Sequence, residues 1–174
     1  MMAVTSDIAP DEPGLLLEFH EVYDTDPDDL WQAITTPERL ARFMAVHRGE
    51  FRLGGRWQAF GTDGTVYCDG EVTACDRPHG FTTTWTVVGE PPSLLTVALE
   101  PDGERTRLHI RHEHVTQPEY GPGWHAYLEA LSRHLAEPDA PRDRDAWVRR
   151  FGELAPAYEE RFAALGVSGG VAED

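Results

Sequence analysis

The sequence contains no lysine, only two cysteines and no long apolar run. All fifteen cationic side chains are arginine, against 31 aspartates and glutamates, which gives a formal net charge of -16 at pH 7. Such a surface repels nucleic acid and anionic membranes, so neither is expected as a partner. No stretch approaches the roughly 20 apolar residues that a membrane span needs. Exclusive use of arginine is typical of high-GC bacterial coding and marks no single arginine as functional.

The two cysteines, Cys68 and Cys75, fall within one predicted strand. Their spacing puts them on opposite faces and about 23 Å apart, whereas a disulfide needs Cα atoms within about 7 Å. We therefore predict free thiols in a reducing compartment, the cytoplasm, and no cysteine-based metal site. The N-terminus also lacks the basic start and apolar core of a signal peptide.

The sequence lacks the short motifs that mark common catalytic centres. It has no Gly-x-Ser-x-Gly elbow, no P-loop and no dinucleotide fingerprint. We therefore predict no catalytic residue set and no cofactor, and an enzyme is less expected than a binding protein.

The order of predicted elements is strand, two short helices, six further strands and a long helix. The first strand covers 14–23, and Asp26 and Pro27 open the first helix as N-cap and first-turn residue. Thr36 precedes Pro37 in the same way at the second helix. The six later strands are predicted at 50–53, 56–60, 65–75, 81–88, 93–100 and 104–115.

The last strand and the helix after it show the clearest patterns. Residues 104–115 alternate, which puts an inward set on one face; the set is Thr106, Leu108, Ile110, His112 and His114. Helix 124–136 carries an apolar stripe at helical spacing, formed by Trp124, Leu128, Leu131 and Leu135. The sequence therefore predicts an α+β protein in which a curved antiparallel sheet of six to seven strands surrounds a long C-terminal helix.

The chain of 174 residues suits one domain. We predict a disordered tail at 1–13, the domain at 14–137, a helical extension at 138–166 and a second disordered tail at 167–174. Pro156 is expected to split the extension into two helices. Its apolar stripe should pack on the domain or on a second subunit, which leaves a homodimer open; the stripe is Trp147, Phe151, Tyr158 and Phe162.

Several short motifs in one order resemble a known family. They are Pro37-Glu38-Arg39-Leu40-Ala41-Arg42-Phe43, Gly54-Gly55-x-Trp57, Gly70-Glu71-Val72, Asp76-Arg77-Pro78, Thr84-Trp85, Thr106-Arg107-Leu108, His112-Glu113 and Gly123-Trp124. Together they resemble the SRPBCC (START/birch-allergen) superfamily, in the branch named for homologues of the activator of the heat-shock-protein-90 ATPase. Phe43 stands where the family usually has Trp, and Arg77 where a Pro-Pro pair is common.

The resemblance implies a helix-grip cavity between the sheet and the long helix, but no shared catalytic residues. The leading hypothesis is a cytoplasmic protein that binds a small apolar molecule in this cavity. The expected lining is Phe43, Trp57, Tyr67, Trp85, Ile110, His112, Trp124, Tyr127 and Leu128. Two alternatives stay open: a cyclase/aromatase-like or hydrolytic enzyme that uses the same cavity, and a co-chaperone-like interaction module.

The histidines of the last strand are the main polar candidates. His112 on the inward face either gives a ligand a directional hydrogen bond or is a hydrogen-bonded core histidine. His109 points to the opposite face from His112 and His114, so the three rings cannot converge on a metal ion. We therefore predict no metal site.

Overall fold

The computed structural model describes residues 3–12 and 14–166, and shows one antiparallel sheet with four helices. The strands are β1 (Thr5–Asp11), β2 (Gly14–Tyr23), β3 (Val46–Gly49), β4 (Arg56–Phe60), β5 (Val66–Asp76), β6 (Gly80–Val87), β7 (Ser93–Asp102) and β8 (Arg105–Val115). The helices are α1 (Pro27–Thr35), α2 (Pro37–Leu40), α3 (Tyr120–Ala136) and α4 (Arg144–Ala164). The predicted α+β helix-grip architecture is confirmed.

The sheet order is β1-β2-β8-β7-β6-β5-β4-β3, and every neighbouring pair is antiparallel. Strands β4 through β8 form successive hairpins, because a short turn joins each of them to the next. The crossover from β2 to β3 runs through α1 and α2, and Asp26 caps α1 by accepting a hydrogen bond from the Asp29 amide at 2.8 Å. That cap agrees with the prediction.

Helix α3 covers the inner face of the sheet through its apolar stripe. Trp124, Leu128 and Leu131 are all buried there. The Tyr23 hydroxyl of β2 donates to the Leu128 carbonyl at 2.8 Å, which fixes the height of α3 above the sheet. The helix begins at Tyr120, four residues before the predicted start, since Pro122 is tolerated in a first turn where no intrahelical N–H bond is lost.

The prediction of a disordered tail at 1–13 is wrong for most of its length. Residues Thr5–Asp11 form β1, which pairs along its whole length with β2. An edge strand buries little side-chain surface, and its bonds to β2 are made by the backbone, so its sequence carries no alternating apolar signal. This strand raises the count to eight. Residues 1, 2, 13 and the predicted second tail at 167–174 lie outside the described residues.

Two further predictions about the elements need correction. The short strand expected at 50–53 lies instead at Val46–Gly49, where it pairs with β4. Helix α4 is not split, because Pro156 lies inside the continuous span Arg144–Ala164. Packing of Tyr158 and Phe162, both buried, outweighs the hydrogen bond that Pro156 removes.

The structure agrees with the predicted inward face of β8 as far as His112, but not at His114. Thr106, Leu108, Ile110 and His112 are buried, but His114 has a positive φ of 63° and is half-buried. The pairing with β2 shifts at this point, which identifies a β-bulge. His114 therefore leaves the inner face, and its ring approaches Asp11 of β1 at 3.1 Å.

Helix α4 packs on α3 of the same chain. Tyr158 donates to Ser6 of β1 at 2.9 Å, and His125 of α3 lies 2.8 Å from the same hydroxyl. The two helices meet closely at Gly121, where an added Cβ would lie 2.6 Å from Tyr158 Cδ1. A glycine at this point of α3 is therefore needed for α4 to dock.

We expect Gly121→Ala to lower the free energy of unfolding by about 1–3 kcal/mol, because the new methyl group overlaps the Tyr158 ring. Urea denaturation would measure the change. Gly152→Ala in α4 is the matched control, since nothing lies within 4 Å of its Cβ position. That control should be neutral or slightly stabilising through helix propensity. Equal effects in the two variants would contradict the close packing.

Candidate functional site

A cavity of about 60 Å³ lies between α3 and the inner face of the sheet. Seven of the nine predicted site residues line it; they are Phe43, Trp57, Trp85, Ile110, Trp124, Tyr127 and Leu128. Its volume is far below the roughly 300–1,000 Å³ of a typical ligand pocket. Side chains thus fill most of the interior, and the remaining space is that of a few water molecules.

A wider groove of about 370 Å³ adjoins this cavity and opens to solvent. Met44, Trp85, Trp124 and Tyr127 border both spaces. Tyr67, the eighth predicted residue, lines only the groove. The other groove residues are Val87, Glu90, Gln117, Glu119, Tyr120, Gly123, Trp147 and Phe151. The cavity and the groove together form one candidate site with an inner and an outer part.

Aromatic rings make up most of the wall between the two parts. The ring centroids of Trp57 and Trp85 lie 5.3 Å apart, and those of Trp85 and Trp124 lie 5.4 Å apart. On the outer side, Tyr127 stacks on Trp147 at 4.8 Å with an interplanar angle of 28°. Such offset and tilted contacts are favourable for aromatic pairs, and a flat ligand ring could extend the same series.

His112, the ninth predicted residue, lines neither the cavity nor the groove. Its Nδ1 accepts from the Trp124 indole N–H at 3.0 Å, so Nε2 carries the proton and donates to Ser93 Oγ at 2.8 Å. Ser93 in turn donates to the Trp85 carbonyl at 3.1 Å. Burial lowers the pKa of His112 to about 3, which keeps the ring neutral. The ring thus links β8, β7, β6 and α3, and the geometry supports a core histidine.

His47 is the histidine that does line the inner cavity, and the sequence analysis missed it. Its Nδ1 lies 2.7 Å from the Ala45 carbonyl, so Nδ1 carries the proton and Nε2 is an acceptor. Burial lowers the pKa of His47 and keeps the ring neutral. The misplaced strand at 50–53 concealed this residue, because the correct strand Val46–Gly49 places His47 on its buried face.

The outer groove has one polar edge, formed by Tyr120 and Glu90. The Trp85 indole N–H donates to the Tyr120 hydroxyl at 3.2 Å, and Glu90 lines the same groove as Tyr120. Burial raises the pKa of Glu90, and burial likewise raises the pKa of Tyr120. This edge offers a ligand both a phenol and a carboxylate. No sequence signal pointed to Glu90, which lies in the loop between β6 and β7.

An enzyme in this cavity would use His112 with Tyr67 or Glu113 as helpers, and the structure does not bring these residues together. Glu113 lies on the opposite face of β8 from His112, and its carboxylate is 3.9 Å from Arg111. Tyr67 lines the groove, which His112 does not reach. Within residues 3–12 and 14–166, no three or more His, Cys, Asp or Glu side chains form a group that could hold a metal ion.

The antiparallel sheet that surrounds α3 defines a helix-grip protein. A sequence model of the family described as "Activator of Hsp90 ATPase homolog 1-like protein" matches residues 24–136. The match covers more than half of the chain, so the chain belongs to this family. The resemblance seen in the short motifs is thereby confirmed. Strands β1 and β2 and helix α4 lie outside the matched segment.

Solved structures with the same fold extend the comparison. CalU16 from Micromonospora echinospora has a TM-score of 0.74 at 24% identity, over 94% of this chain and 98% of that one. An HSP90 activator from Plasmodium falciparum has a TM-score of 0.62 at 21% identity, over 71% and 97%. DynU16, from the dynemicin biosynthetic locus, has a TM-score of 0.65 at 21% identity, over 74% and 49%. At these identities the likeness shows the fold.

No curated protein sequence matches the chain. In the part of the chain that the structure describes, every helix is too short or too polar to cross a membrane.

We expect His112→Leu to lower the free energy of unfolding at pH 7.5 by about 1–3 kcal/mol, because the Trp124 N–H is left buried without an acceptor. The pH dependence gives a sharper test. The native pKa lies near 3 and the unfolded pKa near 6.5, so the unfolded chain binds the extra proton between these values. The parent therefore loses about 2 kcal/mol from this group between pH 7.5 and pH 5, a loss that the variant escapes.

Urea denaturation at pH 7.5 and pH 5 should show the stability gap between parent and His112→Leu closing as the pH falls. His109→Leu, on the outer face of the same strand, controls for loss of a histidine. A gap that stayed constant with pH would contradict a His112 held neutral by burial.

Proposed function

We propose that the protein binds a small, flat, mainly apolar molecule that lies in the outer groove and extends toward the inner cavity. The observation that carries this proposal is the groove of about 370 Å³ with its aromatic wall. That volume falls in the range of small-molecule sites, and its lining of mostly apolar groups with a few polar ones is also typical of them. The groove residues come from β5, β6, α3 and α4, from the loops before β7 and α3, and from the segment after α2.

Burial of apolar surface supplies the affinity in this proposal. A ligand that covers about 300 Å² would gain about 7 kcal/mol before entropy costs. Aromatic walls favour planar ligands, since Trp85, Tyr127 and Trp147 present rings rather than flexible chains. The polar edge at Tyr120 and Glu90 would orient the ligand by hydrogen bonds. In the inner part, His47 Nε2 would accept a hydrogen bond from a ligand donor.

Two further observations support the same proposal. DynU16 shares the fold and comes from a biosynthetic locus, a setting in which small organic molecules are made. Cys68 and Cys75 are both free, which suits a carrier or sensor in the reducing cytoplasm.

We expect Gly123→Leu to reduce binding of the uncharged fluorescent probe Nile red at least tenfold. Gly123 lines the groove, and an added Cβ would meet only Phe151 Cε2 at an ordinary 3.9 Å, so the leucine can extend into the ligand space. Fluorescence titration would give the dissociation constants. Circular dichroism and urea denaturation would establish that the variant is folded.

Gly152→Leu is the matched control for this experiment. It makes the same change in a helix at a position that does not line the groove, and nothing lies within 4 Å of its Cβ position. It should bind Nile red as the parent does. Equal affinity in the parent and Gly123→Leu, or no saturable binding in the parent, would refute the proposal.

A co-chaperone-like function is the second candidate, because the family is named for an activator of the Hsp90 ATPase and a solved structure of an HSP90 activator shares the fold. Stimulation of the ATPase of a purified Hsp90 by the full chain would test it. Gly123→Leu separates the two functions, since it fills the ligand groove and leaves the outer surface unchanged. Stimulation that survived this substitution would favour the co-chaperone function.

A further inference from the structure

A second pocket, separate from the aromatic site, lies where α3, the residues after α2 and the loop before α4 meet. Its volume is about 240 Å³, and three arginines line it: Arg42, Arg133 and Arg142. One water occupies about 30 Å³ in the liquid, so the pocket has room for a small ion and several waters. Three of the fifteen cations in a strongly acidic chain therefore converge on one concave site.

These three arginines have N–H donors that are not used in ion pairs. Among the described residues, no carboxylate lies within ion-pair distance of any of the three. Arg42 uses one N–H on the Asp139 carbonyl at 2.6 Å. Glu137 and Asp143 also border the pocket, but Asp143 caps α4 by accepting from the Ala146 amide at 2.9 Å. The guanidinium forks thus remain available to an anion.

His134 on the pocket wall provides an independent sign of a missing acceptor. The ring is only 5% exposed, and Arg39 donates to its Nε2 at 3.1 Å. Arginine can only donate, so Nε2 is the acceptor and Nδ1 carries the proton. That Nδ1–H has no hydrogen-bond partner among the described residues. A buried donor without a partner is costly and calls for a bound water or ion.

We propose that this pocket binds a small tetrahedral oxyanion, such as phosphate, sulfate or the phosphate group of a larger molecule. Planar guanidinium groups match such oxyanions through paired N–H donors, and three of them suit a dianion better than a carboxylate. His134 lies on the pocket wall with its Nδ1 buried, so a small movement of the ring lets one anion oxygen accept from the Nδ1–H. The anion joins α3 to the loop that leads into α4, because Arg133 and Arg142 belong to these two segments.

Isothermal titration of the full chain with phosphate, sulfate, acetate and chloride at equal ionic strength and pH 7.5 tests this proposal. Phosphate and sulfate should bind at least tenfold more tightly than acetate, and chloride should compete only weakly. If phosphate bound no better than acetate or chloride, the pocket would not be an oxyanion site and the proposal would fail. Phosphate and a phosphomonoester such as glycerol 2-phosphate, compared side by side, distinguish a free ion from a larger ligand.

Substitutions locate the site. Arg133→Gln and Arg142→Gln should each weaken phosphate binding about tenfold or more, as expected for the loss of a charge-assisted hydrogen bond. Arg105→Gln, which removes an exposed arginine from the start of β8, is the charge-matched control and should bind as the parent does. An equal loss in all three variants would show general electrostatic attraction and overturn the proposal.

The His134 ring gives a readout that surface charge alone would not move. In proton–nitrogen NMR spectra, the Nδ1–H resonance of His134 should shift downfield when phosphate is added, because the proton gains an acceptor. The Arg142→Gln variant should need more phosphate for the same shift. A His134 signal that did not respond to saturating phosphate would contradict the assigned contact.

Discussion

The packing of α3 against the inner face of the sheet determines the rest of this structure. That packing is apolar in bulk, but two buried hydrogen bonds fix its position: Tyr23 to the Leu128 carbonyl, and the Trp124 indole to His112. Apolar contacts alone tolerate sliding, whereas a buried donor that loses its acceptor costs about 1–3 kcal/mol. The neutral His112 ring is therefore a structural part of the site, because it sets where Trp124 stands between cavity and groove.

Helix α4 adds to the family fold the wall that completes the groove of this chain. The family match ends at residue 136, and α4 supplies Trp147 and Phe151 to the outer wall. Two glycines on α3 make this arrangement workable. Gly121 lets the Tyr158 ring approach, and Gly123 leaves the space beside Phe151 open. Helix α3 thus contacts α4 closely at Gly121 and leaves free space at Gly123, where a ligand would enter.

The sequence predicted the architecture well wherever a buried face imposed a period. The alternation of residues 104–112 and the stripe of α3 placed Ile110, Trp124 and Leu128 correctly. The reason is that strand β8 and helix α3 each have only one apolar face to bury. Prediction failed where the backbone carries the structure. Edge strand β1 has no such period, the bulge at His114 reverses a face within one residue, and the loop residue Glu90 has no local pattern. His47 was missed for a different reason, because β3 has only four residues and is too short to show a period.

The loop between α3 and α4 connects the aromatic site with the arginine-rich pocket. Arg142 lines the arginine-rich pocket and lies two residues before α4, the helix that carries Trp147. Phe43 is shared as well, since it lines both the inner cavity and the arginine-rich pocket. An occupant that held Arg142 would fix the point from which α4 begins, two residues farther along the chain. The position of Trp147 follows from that point, so the shape of the groove depends on contacts made outside it.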